Sequence, residues 1–116
     1  MGLYPPDIIM RHQQTLGISA DQRREMAQAV KQFQSDVAEL QWTLQSEQQT
    51  LKQMLESPRV DADTAIAQAD KVLALENQFK SAHFRLLIVI KNALTEEQVT
   101  MIDKEIRKRR GETRSK

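Results

Sequence analysis

Cysteine is absent from this 116-residue chain, which excludes a disulfide scaffold, thiol catalysis and cysteine-ligated zinc. Long apolar runs are absent too. The longest, Leu86 to Ile90, is five residues, far short of the ~18–20 that a membrane span needs. Aromatic residues make up only 4% of the chain, and no apolar–polar alternation between turn residues marks a strand. Neither sign of charge dominates, with 17 basic against 16 acidic side chains. Glycine and proline are scarce and confined to Gly2, Gly17, Gly111, Pro5, Pro6 and Pro58. The N-terminus carries no basic-then-apolar leader, although Met1-Gly2 is also what would be left if a signal peptide had been trimmed away.

What remains is rich in Gln, Ala, Leu, Glu and Lys, all good helix formers. The chain reads as one all-α domain over residues 1–116 with four helices. Ser19-Ala20-Asp21-Gln22 fits a capping box, in which a hydroxyl caps the helix and a glutamine three positions on reaches back to the cap's N–H. A long helix is therefore expected over 19–56, stopping before Ser57-Pro58 because proline disfavours helical geometry in the residue before it. Asp61 caps a second long helix over 61–93. Thr95-Glu96-Glu97-Gln98 is a second capping box and opens a C-terminal helix over 95–110, followed by a basic tail at 111–116. Upstream, Asp7 caps a short helix over 7–15, with Gly17 ending it.

The apolar spacing decides the packing. On the first long helix Met26, Val30, Phe33, Val37, Leu40, Leu44, Leu51 and Met54 recur at alternating four- and three-residue steps, with one polar slot at Glu47. That seam suits a single neighbour. The second long helix has a wider face. Val72, Leu75, Phe79, Ala82, Leu86, Val89 and Ala93 form one stripe, and Ile66, Ala69, Leu73, His83, Leu87, Ile90 and Leu94 form another, interrupted by Glu76 and Lys80. The short link at 57–60 makes the two helices an antiparallel hairpin. Two short flanking helices leave apolar surface over, so a homodimer built on the second long helix is expected.

Ile18-Ser19-Ala20-Asp21-Gln22 and Leu94-Thr95-Glu96-Glu97-Gln98 resemble the paired LTxxQ motifs of the Spy/CpxP-like periplasmic family. Its members include stress chaperones as well as ZraP- and CnrX-like heavy-metal resistance and sensor proteins. The motif residues are Ile18, Ser19 and Gln22 in a conservative variant and Leu94, Thr95 and Gln98 in a full match. The resemblance spans about residues 8–108. It implies a long α-hairpin with short flanking helices, a cradle-like homodimer and a periplasmic location. It also implies binding of non-native proteins, or of a sensor-kinase periplasmic domain, during envelope stress. A heavy-metal role is the alternative within the family. Aligned on each motif, the positions where CnrX-like sensors carry ligands hold Ile9, Gln13, Leu86 and Ile90 here, none a good ligand. His12 and His83 are the only histidines left for a metal site, and His83, on an apolar stripe, reads better as a packed residue.

No catalytic constellation is present. Ser, His and Asp occur without the context of an activated nucleophile, no glycine-rich phosphate loop exists, and neither histidine fits a Glu-x-x-His di-iron pattern. The chain is expected to be neither an enzyme nor a cofactor binder. Charge gives the clearest partner clue. Residues 104–116 carry about +5 and the preceding body about −4. The basic run lacks interleaved aromatics, so nucleic acid is not the expected partner. Arg107, Arg109 and Arg110 instead read as a basic edge that steers acidic or unfolded segments. Trp42, Val72, Leu75, Phe79 and Leu86 are the candidate apolar dimer or client surface, and Trp42 fits either use.

Overall fold

The structure, a computed structural model, describes the backbone of residues 2–114 and the side chains of residues 2–109. It is all-helical: α1 (Pro6–Arg11), α2 (Gln13–Leu16), α3 (Ala20–Glu56), α4 (Ala62–Ala93) and α5 (Glu96–Arg114). The long helices α3 and α4 pack against each other as an antiparallel hairpin. Phe33 stacks edge-on to Phe79 with ring centroids 6.0 Å apart. Fourteen residues further along α3, Glu47 meets Gln68, eleven residues back along α4. Steps of opposite sign are what antiparallel helices require.

The helix ends follow the local chemistry of the sequence. Ser19 N–H donates to Gln22 Oε1 at 2.9 Å while Gln22 N–H donates to Ser19 Oγ at 3.1 Å. Thr95 and Gln98 make the same reciprocal pair at 2.9 and 3.1 Å. Both are capping boxes. Asp61 Oδ2 accepts the Thr64 N–H at 3.0 Å and caps α4. Gly17 sits at φ +68° in the left-handed region; Ile18 N–H bonds Gln13 O and Gly17 N–H bonds Gln14 O, the Schellman ending.

Two boundaries differ from the sequence reading. The short helix expected over 7–15 is broken at His12 into α1 and α2, so five helical segments replace four. The His12 N–H is shared between Ile8 O and Ile9 O, and its ring nitrogen lies 3.0 Å from Ile8 O. Those bonds hold His12 at φ −108°, ψ 17°, away from helical geometry. Asp7 does not cap α1. Pro5 holds the N-cap position and Pro6 begins the helix, where a missing N–H costs nothing. At the other end α5 continues through Gly111 to Arg114; glycine weakens a helix by only ~1 kcal/mol relative to alanine. Of the basic tail expected at 111–116, residues 115 and 116 lie outside the described residues.

The chain divides into two compact units, Met1–Lys31 with Arg85–Lys116, and Gln32–Phe84. The first joins the N-terminal segment to the end of α4 and to α5. Ile9, Ile90 and Ile102 are fully buried in it, with Tyr4, Leu16, Met26, Leu86 and Leu94 nearly so. The second is the distal hairpin. Its buried apolar residues are Val37, Ala65 and Val72, accompanied by the buried Gln68.

Candidate functional site

The two motif turns meet in the first unit. Beyond its own capping box, Gln22 uses its amide nitrogen on Gln98 Oε1 at 2.6 Å and on Ala93 O at 2.9 Å. Gln98 Nε2 in turn donates toward Leu16 O at 3.2 Å, Gly17 O at 3.4 Å and Gln22 Oε1 at 3.2 Å. Each glutamine thus closes one helix start and reaches into the other motif's turn. Gln98 is 6% exposed, and its donors satisfy carbonyls at the end of α2 that no helix bond can use. Spacing alone revealed the two boxes, but not that their glutamines are mutual partners. The arrangement positions four helix ends. It offers no nucleophile and no acid–base pair.

Tyr4, which the sequence reading passed over, fastens the N-terminal segment to α5. It is 5% exposed and its hydroxyl donates to Asp103 Oδ1 at 2.9 Å. Burial, reinforced by the hydrogen bond to Asp103, pushes the Tyr4 hydroxyl above its ordinary pKa. Arg107 pairs with Asp103 at 3.6 Å and is otherwise solvated. Arg109 is exposed, whereas the Arg110 side chain lies outside the described residues.

Among the apolar surface candidates, the structure separates two groups. Val72 and Leu86 are buried and Leu75 and Phe79 half-buried within the chain itself. They line the face of α4 that packs internally. Trp42 is 76% exposed, diametrically away from the Phe33–Leu40–Leu44 seam. The apolar surface that remains in the hairpin unit includes Trp42, Leu55, Val60, Ile66, Leu73 and Phe84. Ile66 and Leu73 come from the second stripe of α4, while Phe84 lies outside both stripes read from the sequence.

The two histidines belong to different units. His12 belongs to the first unit, half-buried with its ring engaged on Ile8 O. His83 belongs to the hairpin unit and lies exposed against Phe33, with ring centroids 5.8 Å apart. At the positions that the motif resemblance aligns with the ligands of CnrX-like sensors, Ile9, Leu86 and Ile90 are buried core residues and Gln13 is half-buried. Apolar side chains cannot ligate a metal, so this donor set does not fit one. Among the described residues no group of three or more His, Asp or Glu gathers, and no helix is long and apolar enough to cross a membrane. A scan against protein-family models, a search of curated proteins and a search of solved structures each return no match to this chain.

Proposed function

We propose that the protein is a cofactor-independent periplasmic stress protein that acts as a homodimer and binds non-native proteins, in the manner of the Spy/CpxP-like family it resembles. One observation carries the reading: large apolar side chains stand in solvent on the hairpin unit, with Trp42 76%, Ile66 62% and Leu73 55% exposed. Apolar side chains held in solvent are available to the apolar segments that a non-native protein exposes. Support also comes from the clasp between Gln22 and Gln98, which gives both motif glutamines a structural task. The basic residues Lys104, Arg107, Lys108 and Arg109 are exposed on α5 and attract acidic segments at long range. Apolar groups then hold what charge has gathered.

The test uses an acidic disulfide protein unfolded by reductant, which leaves this cysteine-free chain untouched. A stoichiometric amount of the protein suppresses the light scattering of the aggregating client. Trp42→Ser weakens that suppression without lowering helicity. Scattering unchanged by the wild-type protein overturns the proposal.

A further inference from the structure

The outward face of α4 in the hairpin unit carries an apolar line. Ile66, Leu73 and Phe84 are 62%, 55% and 47% exposed. At about 100° per residue they fall within about 20° of one another around the helix, and about 100° or more from Val72, Leu75 and Phe79 on the packed face. The helix therefore has a second apolar edge, which α3 leaves uncovered.

We propose that this line is the contact surface for a second copy of the chain, packed antiparallel about a two-fold axis at the level of Leu75. Ile66 and Phe84 stand nine residues to either side of that level, so each Ile66 lies level with Phe84 of the second copy. Leu73 lies level with Asn77 of the second copy, which brings the two Leu73 side chains about 6 Å apart along the helix direction beside the axis. The line is its own complement, as an isologous contact demands.

Charge selects the same arrangement. Asp63 and Asp70 flank the line toward the start of α4, and Lys80 flanks it further along; all three are exposed. The antiparallel pairing sets Asp70 level with Lys80 of the second copy. A parallel, in-register pairing would set Asp70 beside Asp70 and Lys80 beside Lys80, an arrangement penalised by like charge. Shifting the antiparallel register so that Leu73 faces Leu73 would put Ile66 against Lys80 and Asp70 against Glu76. Only the Leu75-centred register pairs apolar with apolar at the flanks and opposite charges between them.

This inference deepens the homodimer within the proposed function and rests on it, while client capture is a separate property. The absence of native cysteine makes single-cysteine variants clean probes. Ile66→Cys mixed with Phe84→Cys under mild oxidation gives covalent dimers, roughly tenfold or more faster than either variant alone, because the interface raises the effective concentration of the two thiols. Leu73→Cys cross-links by itself. Trp42→Cys, on α3, does not. Helical circular dichroism reports that each exposed-site variant is folded.

Self-linking of Ile66→Cys that outpaces the mixture overturns the register. Linking of Trp42→Cys at the mixture's rate overturns the surface. A lone 13.4 kDa particle in sedimentation at high micromolar concentration overturns the interface altogether. If that lone particle still suppresses client scattering, the line is a client surface instead, and the chaperone reading stands without the dimer. If it does not, both fail together.

Discussion

Gln98 is the residue on which the first unit turns. Its carbonyl oxygen caps α5, and its amide nitrogen serves Leu16 O, Gly17 O and Gln22 Oε1. Gln98→Ala loses both roles and leaves buried carbonyls without donors, at a cost of about 1–3 kcal/mol. Gln98→Glu separates the roles, because a carboxylate still caps Thr95 N–H but has no N–H to offer α2. Urea denaturation therefore shows a loss for both variants, Gln98→Glu included, because Leu16 O and Gly17 O lose their donor in each. A neutral Gln98→Glu would show that the cap alone matters.

Tyr4 makes a pH-dependent contribution whose direction follows from its surroundings. Its hydroxyl has a pKa above the ordinary value of 10.0 because burial and the bond to Asp103 favour the neutral form. The folded chain therefore keeps this proton after the unfolded chain has lost it. The associated stability is complete below pH 10 and drains as pH rises through the folded-state value. Urea midpoints followed from about pH 8 to about pH 11 fall more steeply for the wild-type protein than for Tyr4→Phe, which has no proton to lose.

At the scale of elements, the polar interruption in the α3 seam has a partner. Gln68, 6% exposed, donates to Glu47 O at 2.9 Å and to Glu47 Oε2 at 2.5 Å. A polar pair inside an apolar seam, with Gln68 buried and Glu47 half-buried, fixes register, because sliding α4 past α3 by one turn would strand the Gln68 amide. Gln68→Ala costs about 1–3 kcal/mol by removing that donor. The double substitution Glu47→Leu with Gln68→Leu is at least as stable as wild type in urea, since a well-packed apolar pair avoids the desolvation of a carboxylate. The gain comes with weaker specification of register, visible as broadened amide resonances along 44–72.

The start of α4 makes the matching argument from charge. The Thr64 hydroxyl, and after it the Thr64 N–H, donate to Asp61 and hold its carboxyl below the usual value of 3.8. The cap is thus in force above that value and is lost as pH falls through the lower folded-state value. The protection of the Thr64 amide, the slowing of its exchange relative to that of an unstructured amide at the same pH, falls over that acid range in wild type and stays level in Asp61→Asn.

Most of the element boundaries could be read because they rest on chemistry within four residues: Ser19 with Gln22, Thr95 with Gln98, Asp61 with Thr64, and Gly17 after α2. Glu47 stood out as a polar slot for the same reason. Its partner did not, because Gln68 is one glutamine among many and only the hairpin register brings it to Glu47. The break at His12 was equally hidden, since its N–H bonds to Ile8 O and Ile9 O use groups every helical residue carries and nothing in the spacing marks its ring as turned back onto Ile8 O.

For the whole molecule, the distribution of burial is the main physical constraint. The unit formed by Met1–Lys31 and Arg85–Lys116 has Ile9, Ile90 and Ile102 at zero exposure and Leu16, Met26, Leu86 and Leu94 below a tenth. Of its apolar residues the hairpin unit buries only Val37, Ala65 and Val72 to that extent and leaves Trp42, Ile66 and Leu73 more than half exposed. The stripes on α4 were legible as an excess of apolar surface. Which stripe is buried at which level was not: the first is buried at Val72 and Leu86, the second at Ile90 and Leu94, and both have the same helical spacing. That distribution sets what dilution does. A unit with its own core keeps its amide protection at any concentration, whereas one completed by a second copy loses protection by mass action as that copy departs. Hydrogen exchange at high and low micromolar protein therefore gives constant protection around Ile9, Ile90 and Ile102. Protection along 66–84 falls on dilution, and Leu73→Lys produces the same fall without dilution by placing a charge beside the axis. Protection along 66–84 that is equal at both concentrations would mean that the hairpin stands on its own contacts, and that Ile66, Leu73 and Phe84 are solvated side chains and nothing more.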